Sequence, residues 1–445
     1  MTADTPSLYD FDFPSLQALL EGWGEPAYRA RQVWEWLYVH LADDFDQMTN
    51  LPKALRRRLA EETVVGAPEV VDTQVSSDGQ TRKDLLRLRD GETVEVVLMQ
   101  YERRRTVCVS TQVGCPIGCA FCATGQAGFR RDLTAGEIVA QVLHFARILR
   151  AEGERVTNVV LMGMGEPLLN YDASLEAIRR LIDPTGFRLG QRHITLSTVG
   201  IVPGIDRLSR ERGIGTPVEA PVEGPAGVPV GVPVGVPVGA QLIAPQRETS
   251  EKPQQTPQRE PPEKPQQVPQ REPSGKPQQT PQRETSGKPQ QTPQRETSEK
   301  PPGKPLQITL AVSLHAATDD LRDRLVPINR KYPLDDLFAA CHRYVERTGR
   351  RISFEWALIA GVNDTPQQAE ALAARLAGLL AHVNLIPLNP TPGYEGQPSP
   401  PEAIAAFTDV LARRRIPHTV RLRRGIEIKA GCGQLRYRNL ARRRR

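Results

Sequence analysis

The chain has 445 residues, enough for two or three domains and a large buried core. Its formal net charge of +6 and pI near 9.0 favour an acidic partner such as RNA. The opening "MTADTPSLYDFDFPS" has neither the basic nor the apolar region of a secretory signal. The longest uncharged run, "GPAGVPVGVPVGVPVGAQLIAPQ", carries a proline every fourth residue and makes a poor membrane helix. A cytoplasmic protein with no membrane partner is expected, and in that reducing setting clustered cysteines point to metal or redox chemistry.

Residues 1–65 read as a helical accessory domain. In "YRARQVWEWLYVHLADDF", Val33, Trp34, Leu37 and Tyr38 recur at helical spacing, as an ordinary core stripe would. The arginines of "YRARQ" and "KALRRRLAEE" fit a solvated face or phosphate contacts equally well. Residues 66–100 follow as a linker, with "TRKDLLRLRDGETVEVVLMQ" folding back as a hairpin at "RDGE".

From residue 101 onward, strand-like runs alternate with helices. The strands are "RTVCVSTQVG", "VTNVVLMGMG", "RHITLSTVG", "LQITLAVSLH", "RISFEWALIAG" and "HVNLIPLNP". Thr134 and Glu137 stand in capping-box positions before one helix. Thr365 with Pro366 opens another, and Ser399 with Glu402 repeats the logic for a third. This rhythm predicts an α/β fold with a parallel sheet, a partial (β/α)6 barrel split into halves at 101–212 and 306–445.

Between the halves, residues 213–305 carry a "GVPV" repeat and then a twelve-residue unit such as "PQRETSEKPQQT". A segment so poor in aliphatics cannot bury enough surface to fold. It reads as a disordered insertion, a spacer or alternatively a partner-binding segment, placed on the face away from the strand C-termini.

The strand C-termini are where barrels of this kind do chemistry, and the motifs gather there. "CPIGCAFCATG" holds Cys115, Cys119 and Cys122 in a C-x3-C-x2-C pattern. A closed zinc site would need a fourth ligand, for which Cys108 and His144 are the candidates. A four-iron, four-sulfur cluster accounts for three thiolates directly and leaves one iron open. Gly163, Gly165 and Glu166 in "GMGEP" let backbone approach a ligand and offer a carboxylate to an ammonium group. Ser197, Ser313, Leu314, His315 and Asn389 stand at three further strand ends. Cys341 reads as a buried small hydrophobe. Cys432, between Gly431 and Gly433, has backbone freedom that suits a mobile thiol.

The three-cysteine pattern, with an aromatic before the last cysteine, resembles that of radical S-adenosylmethionine (SAM) enzymes. "CVSTQVGC", "FCATGQAGF", "GMGEPLLN", "SLHA", "LIPLNP" and "CGQL" in that order resemble the RlmN-type members, which methylate adenine C2 in ribosomal and transfer RNA. Two departures stand out. Glu427 and Gly431 occupy positions where the family usually has aspartate and alanine, and the repeat insertion is foreign to the pattern. Relatives that methylate adenine C8 share the cysteines, but the "GEP" and "AGF" stretches fit the C2 enzymes better.

The resemblance implies a [4Fe-4S] cluster on Cys115, Cys119 and Cys122, and two SAM molecules per turnover bound by Gly165, Glu166, Ser197, Ser313, Leu314, His315 and Asn389. It implies that Cys432 is methylated, that a 5′-deoxyadenosyl radical takes hydrogen from the S-methyl group, and that the resulting radical adds to C2. Glu95 is then the proton acceptor, and Cys108 releases product by forming a transient disulfide with Cys432. The implied partners are ribosomal RNA, transfer RNA, an electron donor for the cluster and a thiol reductant, acting on a monomer. Two other readings remain open: a radical SAM enzyme that activates a partner, and a zinc-containing RNA-binding protein.

Overall fold

A computed structural model describes residues 5–213, 303–391, 393–421 and 433–436. The repeat reading and Cys432 therefore lie outside the described residues. None of the described helices is long and apolar enough to cross a membrane.

The N-terminal module contains α1 (Phe13–Gly22), α2 (Tyr28–Tyr38) and α3 (Lys53–Glu62). Val33, Trp34, Leu37 and Tyr38 are all buried, as their spacing predicts. Phe13 meets Trp34 edge-on at 5.6 Å, and Trp34 Nε1 donates to Asp183 Oδ2 at 2.9 Å. The arginines differ in exposure: Arg29 and Arg56 are half-buried, whereas Arg58 is exposed, lying over the Trp23 ring and pairing with Glu62.

The sheet begins with three antiparallel strands, β1 (Glu69–Val75), β2 (Thr81–Arg87) and β3 (Thr93–Tyr101), and continues through β4 (Arg104–Cys108). The hairpin turns at Leu88–Glu92, as "RDGE" predicts, and pairs Lys83 with Val97 and Leu85 with Glu95. After β4 the chain leaves the sheet. The run "RTVCVSTQVG" predicts one continuous strand; instead Ser110 N donates to Gln141 Oε1 and Ser110 Oγ to the Glu95 carbonyl, which diverts the backbone. The remainder forms β5 (Gln112–Gly114), paired with β6 (Phe129–Asp132) around the short helix α4 (Ala123–Gln126).

The parallel part then alternates with helices. It runs α5 (Ala135–Ala151), β7 (Asn158–Leu161), α6 (Tyr171–Ile182), β8 (Ile194–Thr198), α7 (Val202–Leu208) and β9 (Thr309–Ser313). It continues with α8 (Asp319–Leu325), α9 (Leu334–Thr348), β10 (Ile352–Leu358), α10 (Pro366–Leu376), β11 (Ala381–Pro387), α11 (Pro401–Arg413) and β12 (His418–Val420). The sheet order is β1-β2-β3-β4-β7-β8-β9-β10-β11-β12, parallel from β4 onward. The partial (β/α)6 barrel is thus present as β4 and β7–β11. The flanking β1 and β12 are additions the hydrophobic runs did not reveal, because both are short of buried residues. In β10 nearly every side chain is buried, as expected for a strand covered on both faces.

Thr134 and Glu137 form the predicted capping box, and Thr365 caps α10 through Gln368 N. Ser399 does not cap α11. Pro400 takes that position, and the buried Ser399 hydroxyl has no hydrogen-bond partner. Cys341 is fully buried in α9.

The ends of the undescribed segment 214–302 are held together. Gly213 N donates to Lys304 O (3.1 Å), Leu306 N donates to Glu211 O (2.9 Å), and Arg212 bridges Pro305 antiparallel. This root lies between α7 and the start of β9, at the N-terminal ends of the strands.

Candidate active site

The loop after β5 carries the three cysteines. Cys122 N donates to Cys119 O, Cys115 N to Gly128 O, and Ala120 N to Leu325 O at the end of α8. A Cβ on Gly125 would come within 3.1 Å of Cys119 N, so glycine is needed for α4 to close onto the loop. Cys119 is buried, Cys115 and Cys122 are half-buried, and all three are free thiols. Burial pushes Cys115 up to about 12 and Cys119 well above the usual thiol range, and the neighbouring cysteine charges add to both shifts.

The donor set suits an iron–sulfur cluster. Three soft ligands lie in one loop as free thiols, and a cationic iron core would ionise thiols that burial otherwise keeps protonated. A single ion fits worse: no group of three or more His, Cys, Asp or Glu among the described residues is arranged to hold one. Neither spare zinc ligand belongs to the cysteine loop. His144 Nε2 lies 2.7 Å from Asp84 Oδ2, and Cys108 lies in β4 opposite Val97.

Contacts at the strand C-termini tie His315 and the segment following Asn389 to this loop. Phe121, between the cysteines, meets the His315 ring edge-on at 4.8 Å. His315 adopts a left-handed φ of 62°, which is rare outside glycine, and strain of this kind gathers at functional sites. Its Nδ1 accepts from Ala357 N at 2.9 Å, so the proton sits on Nε2, which becomes a donor. Burial, helped by the charge of Arg322, pushes its pKa down to about 3 and keeps the ring neutral. Ser197 Oγ and Ser313 Oγ lie 3.4 Å apart on adjacent strands. Leu314 is buried and donates its N–H to Glu355 O. Asn389 is half-buried just beyond β11, in a segment tied by Thr391 Oγ1 to Gln126 and by Pro390 O to Gln434.

Glu166 is fully enclosed. Its Oε2 accepts from Val199 N (2.8 Å) and its Oε1 from Leu168 N (3.0 Å), and burial raises its pKa to about 7. The carboxylate thus braces the turn against the end of β8. The glycines of "GMGEP" also have a packing reason: a Cβ on Gly163 would lie 2.6 Å from Val109 O, and one on Gly165 2.7 Å from Thr111 Oγ1.

The second cluster of groups follows from strand periodicity. Glu95 and Val97 share one face of β3, and Val97 has Lys83 on one side and Cys108 on the other. Lys83 Nζ lies 2.7 Å from Glu95 Oε2, and both side chains are buried. The Glu95 carboxylate also receives Gly433 N (2.9 Å) on Oε2 and Arg436 N (2.8 Å) on Oε1. Gly433 has φ +78°, and a Cβ there would fall 2.7 Å from Thr124 N, so the chain leaving Cys432 packs against both α4 and Glu95. Burial raises the Cys108 thiol to about 11, with Lys83 opposing the shift and Glu95 adding to it.

Sequence reasoning missed two residues here, Lys83 and Arg322. The hairpin register carried a signal for Lys83, since a turn at 88–92 sets it two residue pairs from Glu95, on the same face. Nothing local marked Arg322 as buried.

Residues 7–65 match the family described as the ribosomal RNA large subunit methyltransferase N-terminal domain, and residues 109–225 match the radical SAM superfamily. The chain is 44% identical to "Dual-specificity RNA methyltransferase RlmN 1" of Myxococcus xanthus, over 98% of this chain and 96% of that one. The chain belongs to the RlmN family. A probable RlmN of Chloroflexus aurantiacus is 42% identical, over 96% of this chain and 92% of its own. A crystal structure of a radical SAM methyltransferase from Sphaerobacter thermophilus superposes with a TM-score of 0.74 at 41% identity, over 96% of this chain and 98% of that one. Family membership brings with it a [4Fe-4S] cluster and SAM.

Proposed function

We propose that this protein is a radical SAM methyltransferase that methylates C2 of adenosine in ribosomal and transfer RNA. The observation that carries the reading is the Glu95 carboxylate, which holds the backbone of Gly433 and Arg436 beside the strand bearing Cys108. It therefore gathers three groups the chemistry needs, namely a carboxylate, a fixed thiol and the segment joined to Cys432.

Cys115, Cys119 and Cys122 would hold the cluster, with Gly165, Glu166, Ser197, Ser313, Leu314, His315 and Asn389 lining the place for SAM. When bound, these groups supply a carbon-centred oxidant able to take hydrogen from an unactivated methyl group. The chain's own residues do the rest. Cys432 carries the methyl carbon to the base. Adenine C2 has no acidic proton, so the C2 proton becomes removable only after the new C–C bond has formed. Glu95 Oε is the acceptor. It lies in a buried carboxylate 2.7 Å from the Lys83 ammonium. Cys108 sulfur then attacks Cys432 sulfur. An S–S bond forms and the C–S bond to product breaks, the unpaired electron of the adduct having passed to a one-electron acceptor. The electron pair of the C–S bond passes to the product carbon, which takes up a proton to become the methyl group, and external thiol resets the cysteine pair by exchange. His315 Nε2–H offers a fixed donor from a ring that cannot compete for the proton.

RNA is too large to be held by the strand ends alone. A groove of about 960 Å³ opens at the opposite pole, lined by Tyr101, Arg103, Arg104, Arg150, Arg155 and Arg188. Arg104 lies over the Tyr101 ring at 4.4 Å, and Arg150 is anchored on the Val39 and His40 carbonyls. Such a surface suits phosphate backbone remote from the reacting nucleotide, whose base would be splayed out at the strand C-termini to reach the site. On this reading the chain works as a cytoplasmic monomer and draws on an external one-electron donor.

Reaction of the reduced enzyme with SAM and RNA, followed by nucleoside mass spectrometry, tests the proposal. 2-Methyladenosine in both RNA classes is expected. 8-Methyladenosine, or no methylated adenosine, overturns it. Cys108→Ala should accumulate an enzyme–RNA crosslink, whereas Cys432→Ala should form neither crosslink nor product.

A further inference from the structure

Arg322 in α8 is fully buried. Its Nε donates to Leu314 O (3.1 Å), Nη1 to Asn329 Oδ1 (2.9 Å), and Nη2 to Val199 O (2.5 Å) and Ser313 O (3.3 Å). Three of these acceptors are carbonyls at the C-terminal ends of β8 and β9. Among the described residues no carboxylate pairs with the guanidinium directly. Asp319 and Asp323 stand one hydrogen bond away, accepting from Asn329 Nδ2 at 2.8 and 2.7 Å. Burial pushes its pKa down to about 10, which still leaves it charged at neutral pH. A buried cation held by dipoles alone is costly, and proteins retain one where an anion answers it.

The same helix touches the cysteine loop. Leu325, three residues on, accepts the Ala120 N–H at 3.0 Å, and Leu314, which accepts from Arg322 Nε, directly precedes His315, whose ring meets Phe121 of the cysteine loop. Three thiolates on an iron–sulfur core of charge +2 leave a net charge of about −1, and one-electron reduction takes it to about −2. A fixed neighbouring cation in a low-dielectric setting stabilises the more negative state more strongly.

We propose that Arg322 is the counter-charge of the iron–sulfur cluster, raising its reduction potential so that a mild donor can reduce it. The inference rests on the reading of Cys115, Cys119 and Cys122 as cluster ligands. Arg322 is a positioning residue in this role: it donates no proton and binds no substrate. Asn329 with Asp319 and Asp323 moderates the charge.

The test is an EPR-monitored redox titration of the full-length, anaerobically reconstituted chain, comparing wild type with Arg322→Met, Arg322→Lys and Asp323→Asn. At a fixed potential, Arg322→Met should raise the oxidised-to-reduced ratio at least about tenfold, a downward shift of about 59 mV for a one-electron couple. Arg322→Lys should stay within about threefold of wild type, and Asp323→Asn should move the ratio the other way by about two- to fivefold. Equal shifts for Met and Lys, or a wild-type potential in the Met variant, overturn the inference. Should Arg322→Met fail to hold iron, the sign for Asp323→Asn decides: an upward shift supports the inference, and no shift or a downward one overturns it. A wild-type chain that assembles no four-iron cluster overturns the functional reading instead.

Discussion

The two poles of the sheet are built on opposite principles. At the C-terminal pole, groups that burial disfavours are packed together: thiols pushed to about 11 and 12, a carboxyl raised to about 7, a left-handed histidine and an arginine without a carboxylate. At the N-terminal pole, arginines lie exposed around an open groove, and the 214–302 segment leaves and returns through one antiparallel bridge. The first pole is costly to fold and makes sense only with ligands that answer its charges. The second costs little and tolerates an insertion. Chemistry and tolerance to change are thus separated by the length of the strands.

The sharpest way to break this contrast is at the cysteines. Cys119→Ala should abolish iron retention and RNA methylation together, measured by iron analysis and nucleoside mass spectrometry, while leaving the fold intact by circular dichroism. Glu95→Gln should slow resolution of the RNA adduct by about 10²–10⁴-fold in single-turnover experiments. It should also lower stability in denaturant unfolding, because the buried Lys83 ammonium loses the carboxylate 2.7 Å away. Normal turnover in that variant would remove Glu95 from the proton-accepting role.

Acid should expose the C-terminal pole next. The folded pKa of His315 is lowered to about 3, so the unfolded chain binds this proton first as pH falls. Stability from His315 is therefore present above about pH 6.5 and is lost as the pH drops from there toward 3. His315→Gln should flatten that part of the pH–stability curve by a few kcal/mol. An unchanged curve would contradict the burial argument.

Effects at the other pole should be smaller. Arg103→Glu with Arg155→Glu should raise KM for full-length transfer RNA about tenfold. It should also reduce the salt dependence of binding by about two phosphate contacts, with kcat at saturation preserved. Replacing residues 214–302 by a short loop should leave methylation within about twofold. Because the ends already meet, it should raise stability by about 2 kcal/mol through the shorter loop closure. Lost methylation on deletion would show that the insertion belongs to the working machinery.

Much of this was legible in the chain because its signals are local. The capping box at Thr134 and Glu137, the hairpin turn at "RDGE" and the core stripe of α2 depend on neighbours within a few residues, and the structure shows each. The failures are where tertiary contacts decide. Ser399 resembles a cap in sequence, yet Pro400 with its fixed φ takes the position. The run after Cys108 is apolar enough for a strand, but Ser110 trades sheet pairing for Gln141 and Glu95. Lys83 and Arg322 look like ordinary surface cations, since nothing in a sequence window reports which partners will surround them.

The claim on which everything turns is that Cys115, Cys119 and Cys122 bind an iron–sulfur cluster with one open iron. Mössbauer spectroscopy of anaerobic, iron-57-enriched protein, recorded with and without SAM, tests it most directly. The account predicts about four irons per chain, one of which changes its isomer shift when SAM is added. Stoichiometric zinc in place of iron, or a four-iron spectrum indifferent to SAM, would contradict it.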